Sequence, residues 1–226
     1  MLQSVASEGP AATANAPRHA GWWSWDDPGV TTRRVAWRRS DDVETDEHCT
    51  LTVRDGGLSL VGTLIGSEGG LPIRIEYRVL ADRSGLTTAV HVRDLRGFET
   101  RTLSLERNAK GSWTVDGAGA RGLRGCTDVD LGCSPSTNTL PIRRLRLAIG
   151  ASQTIQAAWV RFPELSVIKA AQTYTRLDDL TYRYASGTFA AELTADDDGL
   201  VAEYAEWRRT GFAVGRDETE PLDARG

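Results

Sequence analysis

The feature that most constrains this chain is a hydrophobic period of two. In LPIRIEYRVL, Ile73, Ile75, Tyr77 and Val79 fall on one face and Arg74, Glu76 and Arg78 on the other, which is the alternation of a strand wetted on one side. Similar patterns recur over residues 49–54, 58–65, 86–93, 100–107, 112–115, 154–161, 166–176, 180–184, 188–193 and 200–207. Turn chemistry separates many of them, at Asp55-Gly56-Gly57, 82–85, 108–111, Asp116-Gly117 and 196–199. No stretch carries a helical stripe of three turns, although a single helical turn is expected after Pro141, because proline suits the start of a helix. Ten or more strands rarely stay in one open sheet. The predicted fold is therefore mainly β, a single antiparallel sheet curled into a roll or open barrel.

The ends of the chain differ from this pattern. Residues 1–21 are rich in Ala, Ser, Pro and Gly, and residues 213–226 are charged and broken by Pro221; both are expected to be disordered tails. Residues 22–212 between them form one expected domain. The longest apolar run, Ala157 to Val160, is four residues, far short of the roughly 20 that a membrane helix needs. The N-terminus has neither a basic nor an apolar signal region, and three cysteines, Cys49, Cys126 and Cys133, suit free thiols in a reducing compartment. The expected location is the cytoplasm. A net charge of -4, with acidic and basic residues interspersed, argues against a nucleic-acid partner.

One segment breaks the alternation. Residues 125–147 read GCTDVDLGCSPSTNTLPIRRLRL. If extended, Cys126, Asp128 and Asp130 share a face, with the two acids about 7 Å apart at their Cα atoms. Carboxylates that close repel or need cations, and Arg143, Arg144 and Arg146 follow a short excursion bounded by Pro135 and Pro141. Two readings stay open. One is a buried Asp and Arg network that staples an irregular loop to the sheet. The other is a polar floor for a ligand at the mouth of an apolar cavity.

The run GCTDVDLGCSPSTNTLPIRRL resembles the central signature of the putative glycolipid-binding family, formerly a domain of unknown function. The likeness continues through Asp27-Pro28-Gly29, AAWVRFPEL at 157–165, Gln172, Tyr174, and the GTFAAEL and LVAEYAEW strands. The resemblance implies a spiral β-roll similar to the periplasmic lipoprotein-localisation carriers, whose half-open barrels hold acyl chains. It implies a non-enzymatic protein that binds a lipid or glycolipid, with the acyl chain in an apolar groove. The expected headgroup contacts are Asp128, Asp130, Asn138, Arg143 and Arg144, with Trp159 and Tyr174 completing the site. No export signal is expected, which would set the chain apart from those carriers.

Other chemistries have weaker support. Seven tryptophans are many; Trp159 and Trp207, within strands, are expected in the core or a cavity wall, and Trp22, Trp23 and Trp25 either closing one end of the roll or exposed at a ligand mouth. The alternative function is a hydrolase acting on a glycosidic or ester bond through Asp128 and Asp130, since carboxyls about 5 to 5.5 Å apart suit a retaining glycosidase. Their shared strand face is a poor fit, because acid and nucleophile must flank the scissile bond. No His and Cys spacing fits zinc, Asp196-Asp197-Asp198-Gly199 lacks the alternation of a calcium loop, and no cofactor is expected. The latter is expected to be a hairpin turn, and Asp41 to Glu47 a solvated acidic loop.

Overall fold

The computed structural model describes residues 30–41 and 44–215. Trp22, Trp23, Trp25, the motif at 27–29 and most of both expected tails lie outside the described residues. The chain runs through β1 (Thr31–Arg39), β2 (Thr45–Arg54), β3 (Gly57–Glu68), β4 (Leu71–Asp82), β5 (Thr87–Arg96), β6 (Glu99–Arg107), β7 (Trp113–Val115) and β8 (Ala118–Gly119). The signature segment contributes β9 (Asp128–Leu131) and α1 (Thr139–Leu145). The sheet resumes with β10 (Ser152–Arg161), β11 (Ser166–Arg176), β12 (Thr181–Ser186), β13 (Phe189–Ala195), β14 (Val201–Tyr204) and β15 (Trp207–Val214).

All fifteen strands among the described residues belong to one sheet, ordered β8-β7-β6-β5-β4-β3-β2-β1-β15-β14-β13-β12-β11-β10-β9. The sheet does not close by strand pairing. It curls, so that Thr87 at the start of β5 meets the other edge: its backbone N–H donates to the Thr127 carbonyl at 3.0 Å, and its hydroxyl accepts from the Val129 N–H at 3.1 Å. Neighbours are antiparallel except β9 and β10, which are parallel, with Asp128 opposite Ala157 and Asp130 opposite Trp159. The parallel pair departs from the expected meander because the 20-residue excursion after Leu131 lets the chain re-enter from the opposite end.

The predicted alternation is present where it was clearest. Ile73, Ile75, Tyr77 and Val79 of β4 are buried, and Arg74 and Arg78 are exposed. Three expectations change. Strand β1 has no counterpart among the predicted strands, since only Val35 and Trp37 mark its buried face within an Arg and Thr background. The stretch 200–207 is two strands separated by a turn, where Ala205 adopts φ 47°. The supposed acidic loop ends inside β2, and Glu47 is fully buried.

Alternating strand directions put the turns at 40–44, 69–70, 97–98, 162–165, 187–188 and 205–206 at one end of the roll, and those at 55–56, 83–86 and 196–200 at the other. The signature segment fills much of the space between. After β9 it turns inward, and Ser134, Ser136, Thr137, Asn138, Thr139, Leu140 and Ile142 are all buried. Helix α1 starts two residues before Pro141, which sits in the first turn where a missing N–H costs no helical bond. The interior is thus not the single apolar hollow that the carrier-like fold implied.

Helix α1 seals the second end. Arg144 pairs with Asp128 on β9, and Arg143 donates to the Asp198 carbonyl at 2.7 Å. Asp198 also accepts from Arg33 of β1 at 2.6 Å. Gly199 (φ +74°) lies so close that an added Cβ would come within 2.9 Å of the Arg143 side chain. The Asp196–Gly199 stretch is the predicted turn, with Asp196 accepting from the N–H groups of Asp198 and Leu200 at 3.0 Å.

The two arginines should differ sharply in their contribution. Asp128 is only 1% exposed, so Arg144→Ala strands a buried carboxylate and should cost about 3–5 kcal/mol. The Arg143 and Asp198 side chains retain access to water, so Arg143→Ala should cost about 1 kcal/mol or less. Chemical denaturation of the two variants checks this, and equal losses would contradict it.

Candidate functional site

The alternation of β10 to β13 points Ile155, Gln172, Tyr174, Tyr182, Tyr184 and Leu193 into the roll. Strand β11 pairs with β10 from Ser166 to Thr175, but with β12 only from Thr173 to Arg176. Toward the first end the sheet therefore splits, and across the split the Ser186 hydroxyl donates to the Ala171 carbonyl at 3.2 Å. Along this split lies a cleft of about 710 Å³.

Two kinds of surface line the cleft. Its apolar wall comprises Trp159, Ile168, Ala170, Phe189, Tyr204 and Trp207. The rings form an edge-to-face cluster: Tyr184 and Tyr204 have centroids 5.9 Å apart, Phe189 and Tyr204 6.3 Å, and Tyr174 stands 5.3 Å behind Tyr184. Phe189 is 48% exposed. The signature segment supplies the polar floor through Asp130, Ser134 and Asn138. Gly132 lets the chain pass beneath Trp159, since a Cβ there would lie 2.8 Å from the indole nitrogen.

The floor is held in place from behind. Asp130 Oδ2 accepts from Gln172 Nε2 at 2.6 Å, and the carboxylate is also hydrogen-bonded by Tyr184. Burial, opposed by these two donors, raises its pKa to about 6. Asn138 Oδ1 accepts from the Tyr174 hydroxyl at 2.8 Å, and its Nδ2 donates to the Pro135 carbonyl at 3.1 Å. Burial, with the nearby Asp130 charge adding to it, pushes the Tyr174 hydroxyl well above its ordinary value, so it stays a donor.

Of the residues singled out from sequence, the structure brings Asp130, Asn138 and Trp159 to the cleft, with Tyr174 buttressing Asn138. It does not bring Asp128, Arg143 and Arg144 there. Asp128 is held by Thr127 at 2.7 Å and by Arg144; burial raises its pKa, against the pull of the guanidinium. Asp128 and Asp130 thus follow the shared register of β9 but have separate partners. No group of three or more His, Cys, Asp or Glu side chains suited to a metal occurs among the described residues. A second concavity, of about 560 Å³, lies over β3 to β6 and is lined by solvent-facing charges including the Arg93 and Glu76 pair.

Sequence reasoning did not single out Tyr184, Phe189 and Tyr204 as site residues. A signal was available: Phe189, Tyr204 and Trp207 all adjoin turns at the same end of the sheet. It also missed a buried network. Tyr77 and Ser134 hydroxyls both donate to Glu47 Oε1, the latter at 2.7 Å, and Ser136 Oγ lies 2.7 Å from Ser134 Oγ and 2.8 Å from Tyr77 Oη. Glu47 Oε2 has no hydrogen-bond partner. Burial therefore outweighs the two donors and pushes the Glu47 pKa up to about 7.

The comparisons agree with this architecture. The family model described as Putative glycolipid-binding matches residues 34–209, and the chain belongs to that family. The fold is similar to the crystal structure of a DUF1089 family protein from Pseudomonas aeruginosa, with a TM-score of 0.62 and 30% identity, over 83% of this chain and 96% of that one. No curated protein matches the sequence. No helix among the described residues is long and apolar enough to cross a membrane.

The Glu47 network carries a pH signature. In the unfolded chain the carboxyl loses its proton near 4.5, and in the folded protein near 7. Between those values the folded state binds more protons, so stability falls as pH rises through the window. Glu47→Gln cannot ionise, and its oxygen can still accept from Tyr77 and Ser134. Relative to wild type it should gain about 3 kcal/mol between pH 4.5 and 8, read by urea unfolding across that range. A pH-independent difference would contradict the assignment.

Proposed function

We propose that the cleft binds a glycolipid, with the sugar headgroup on the polar floor and the start of the acyl chain against the apolar wall. The observation that carries this reading is the joining of two surfaces in one concavity: fixed hydrogen-bonding groups on the signature segment, and an open cluster of rings on β10 to β15. Hydroxyls can donate to Asp130 and bond the second N–H and second lone pair that the Asn138 amide keeps beyond its contacts with Pro135 and Tyr174. Rings such as Phe189 and Tyr204 present flat faces that pack against the C–H surface of a sugar or chain.

A volume of about 710 Å³ lies within the range of roughly 300 to 1,000 Å³ for small-ligand sites. It suits one headgroup and a short length of chain, with the remainder leaving through the split between β11 and β12. Each buried methylene adds about 0.8 kcal/mol before ordering costs, so the chain supplies affinity and the floor supplies selection. The family's description supports a sugar-bearing lipid as the ligand. The separate partners of Asp128 and Asp130 favour binding over hydrolysis by that pair. Three buried free thiols fit the cytoplasmic location expected from the sequence.

Native mass spectrometry of the purified protein with added alkyl glycosides tests this reading. Wild type should form one-to-one complexes. Phe189→Ala, at a site already 48% exposed, should weaken them about tenfold, while stability changes by less than about 1 kcal/mol. Absence of any complex, or equal binding by the variant, would contradict the proposed cleft.

A further inference from the structure

The charge inventory of the cleft narrows the ligand further. Among the described residues that line it, Asp130 is the single ionisable acid or base with a full charge; the remainder are apolar, aromatic, hydroxyl or amide side chains. The groups that face Asp130 are uncharged donors and tyrosines: Gln172 and Tyr174 from β11, Tyr184 from β12 and Tyr204 from β14. The cations of the signature are spent elsewhere, Arg144 on Asp128 and Arg143 on Asp198. Lys169 donates to the Arg124 carbonyl at 2.9 Å. Arg161 lies over the Trp159 ring, 5.7 Å from its centroid, and is exposed outside the floor.

Sites that take phosphate, sulfate or carboxylate headgroups present guanidinium forks, ammonium groups or a cluster of unpaired N–H donors. The described residues of this floor present none of these cations. An anionic headgroup placed there would meet the Asp130 carboxylate in a partly desolvated setting, where like charges repel more strongly than in water. A hydroxyl or an ammonium instead completes the coordination of Asp130.

We infer that the cleft selects headgroups without negative charge, accepting a neutral sugar or an amino sugar through donation to Asp130 and rejecting phosphorylated or acidic ones. This rests on the glycolipid-binding reading and names the headgroup class for the same site. It also reassigns the signature's arginines from headgroup selection to holding the segment in the roll.

The test uses the whole protein and three probes with the same octyl chain, each kept below its micelle concentration: an octyl glucoside, an octyl 2-amino-2-deoxyglucoside and octyl phosphate. Dissociation constants are read from tryptophan fluorescence at pH 7.5. Wild type should bind both sugar probes at least about tenfold more tightly than octyl phosphate. Asp130→Asn should shrink that gap about tenfold and cost the amino sugar more than the neutral one. Octyl phosphate binding as tightly as the sugars overturns the inference while leaving lipid binding intact, and an unchanged preference in Asp130→Asn does the same. No binding of any probe removes the inference together with the function on which it rests. The wild-type comparison stands even if Asp130→Asn does not fold, and Asp130→Glu, which keeps the charge, should retain the preference.

Discussion

The structure depends on satisfying the polar groups of a segment pushed into the inside of a β-roll. Buried hydroxyl, amide and carboxyl groups cost free energy unless hydrogen-bonded, and the signature segment brings Ser134, Ser136, Thr137 and Asn138 into the interior together, beside a Thr139 hydroxyl that has no hydrogen-bond partner. The sheet answers with matching inward groups. Glu47 and Tyr77 receive Ser134 and Ser136, Tyr174 fixes Asn138, and the Leu131 N–H donates to the Thr137 hydroxyl at 3.2 Å. At the closed end, the buried Asp128 and Arg144 pair anchors the helix that follows.

This plug explains where the remaining space is. Without it, the curled sheet would enclose a hollow in which the inward polar groups of Glu47, Tyr77 and Tyr174 lacked these partners. With it, the closed end is filled and sealed by α1, and the free volume is displaced toward the end where β11 and β12 part. The same segment that occupies the interior therefore becomes the floor of the cleft. Asp130 and Asn138 gain fixed orientations because the groups behind them belong to the sheet.

The alternation of period two made the sheet legible, and β4 follows it residue by residue. Strand β1 escaped because two buried positions among arginines carry too little pattern. Glu47 escaped for a different reason: an acid at the end of an acidic run looks solvated, and only its contact with Ser134, 87 residues away, reveals the burial. Asp128 and Asp130 look equivalent in sequence, yet Asp130 lies opposite Trp159 beside the cleft and Asp128 two residues back along β9, where it pairs with Arg144 of α1, so one faces the cleft region and the other the helix anchor. The arginines look available because their ion-pair partners, at 128 and 198, are set by the three-dimensional path of α1. Local pattern could place the elements, but not decide which charges would find each other across the roll.

The most direct measurement of the central claim is photocrosslinking of a glycolipid with a diazirine at the start of its chain, followed by peptide mapping. The account predicts adducts concentrated on Ile168 to Ala171, Phe189, Tyr204 and Trp207, and their loss on competition with unlabelled ligand. Adducts confined to the outer face over β3 to β6, or spread evenly across the surface and insensitive to competition, would contradict it.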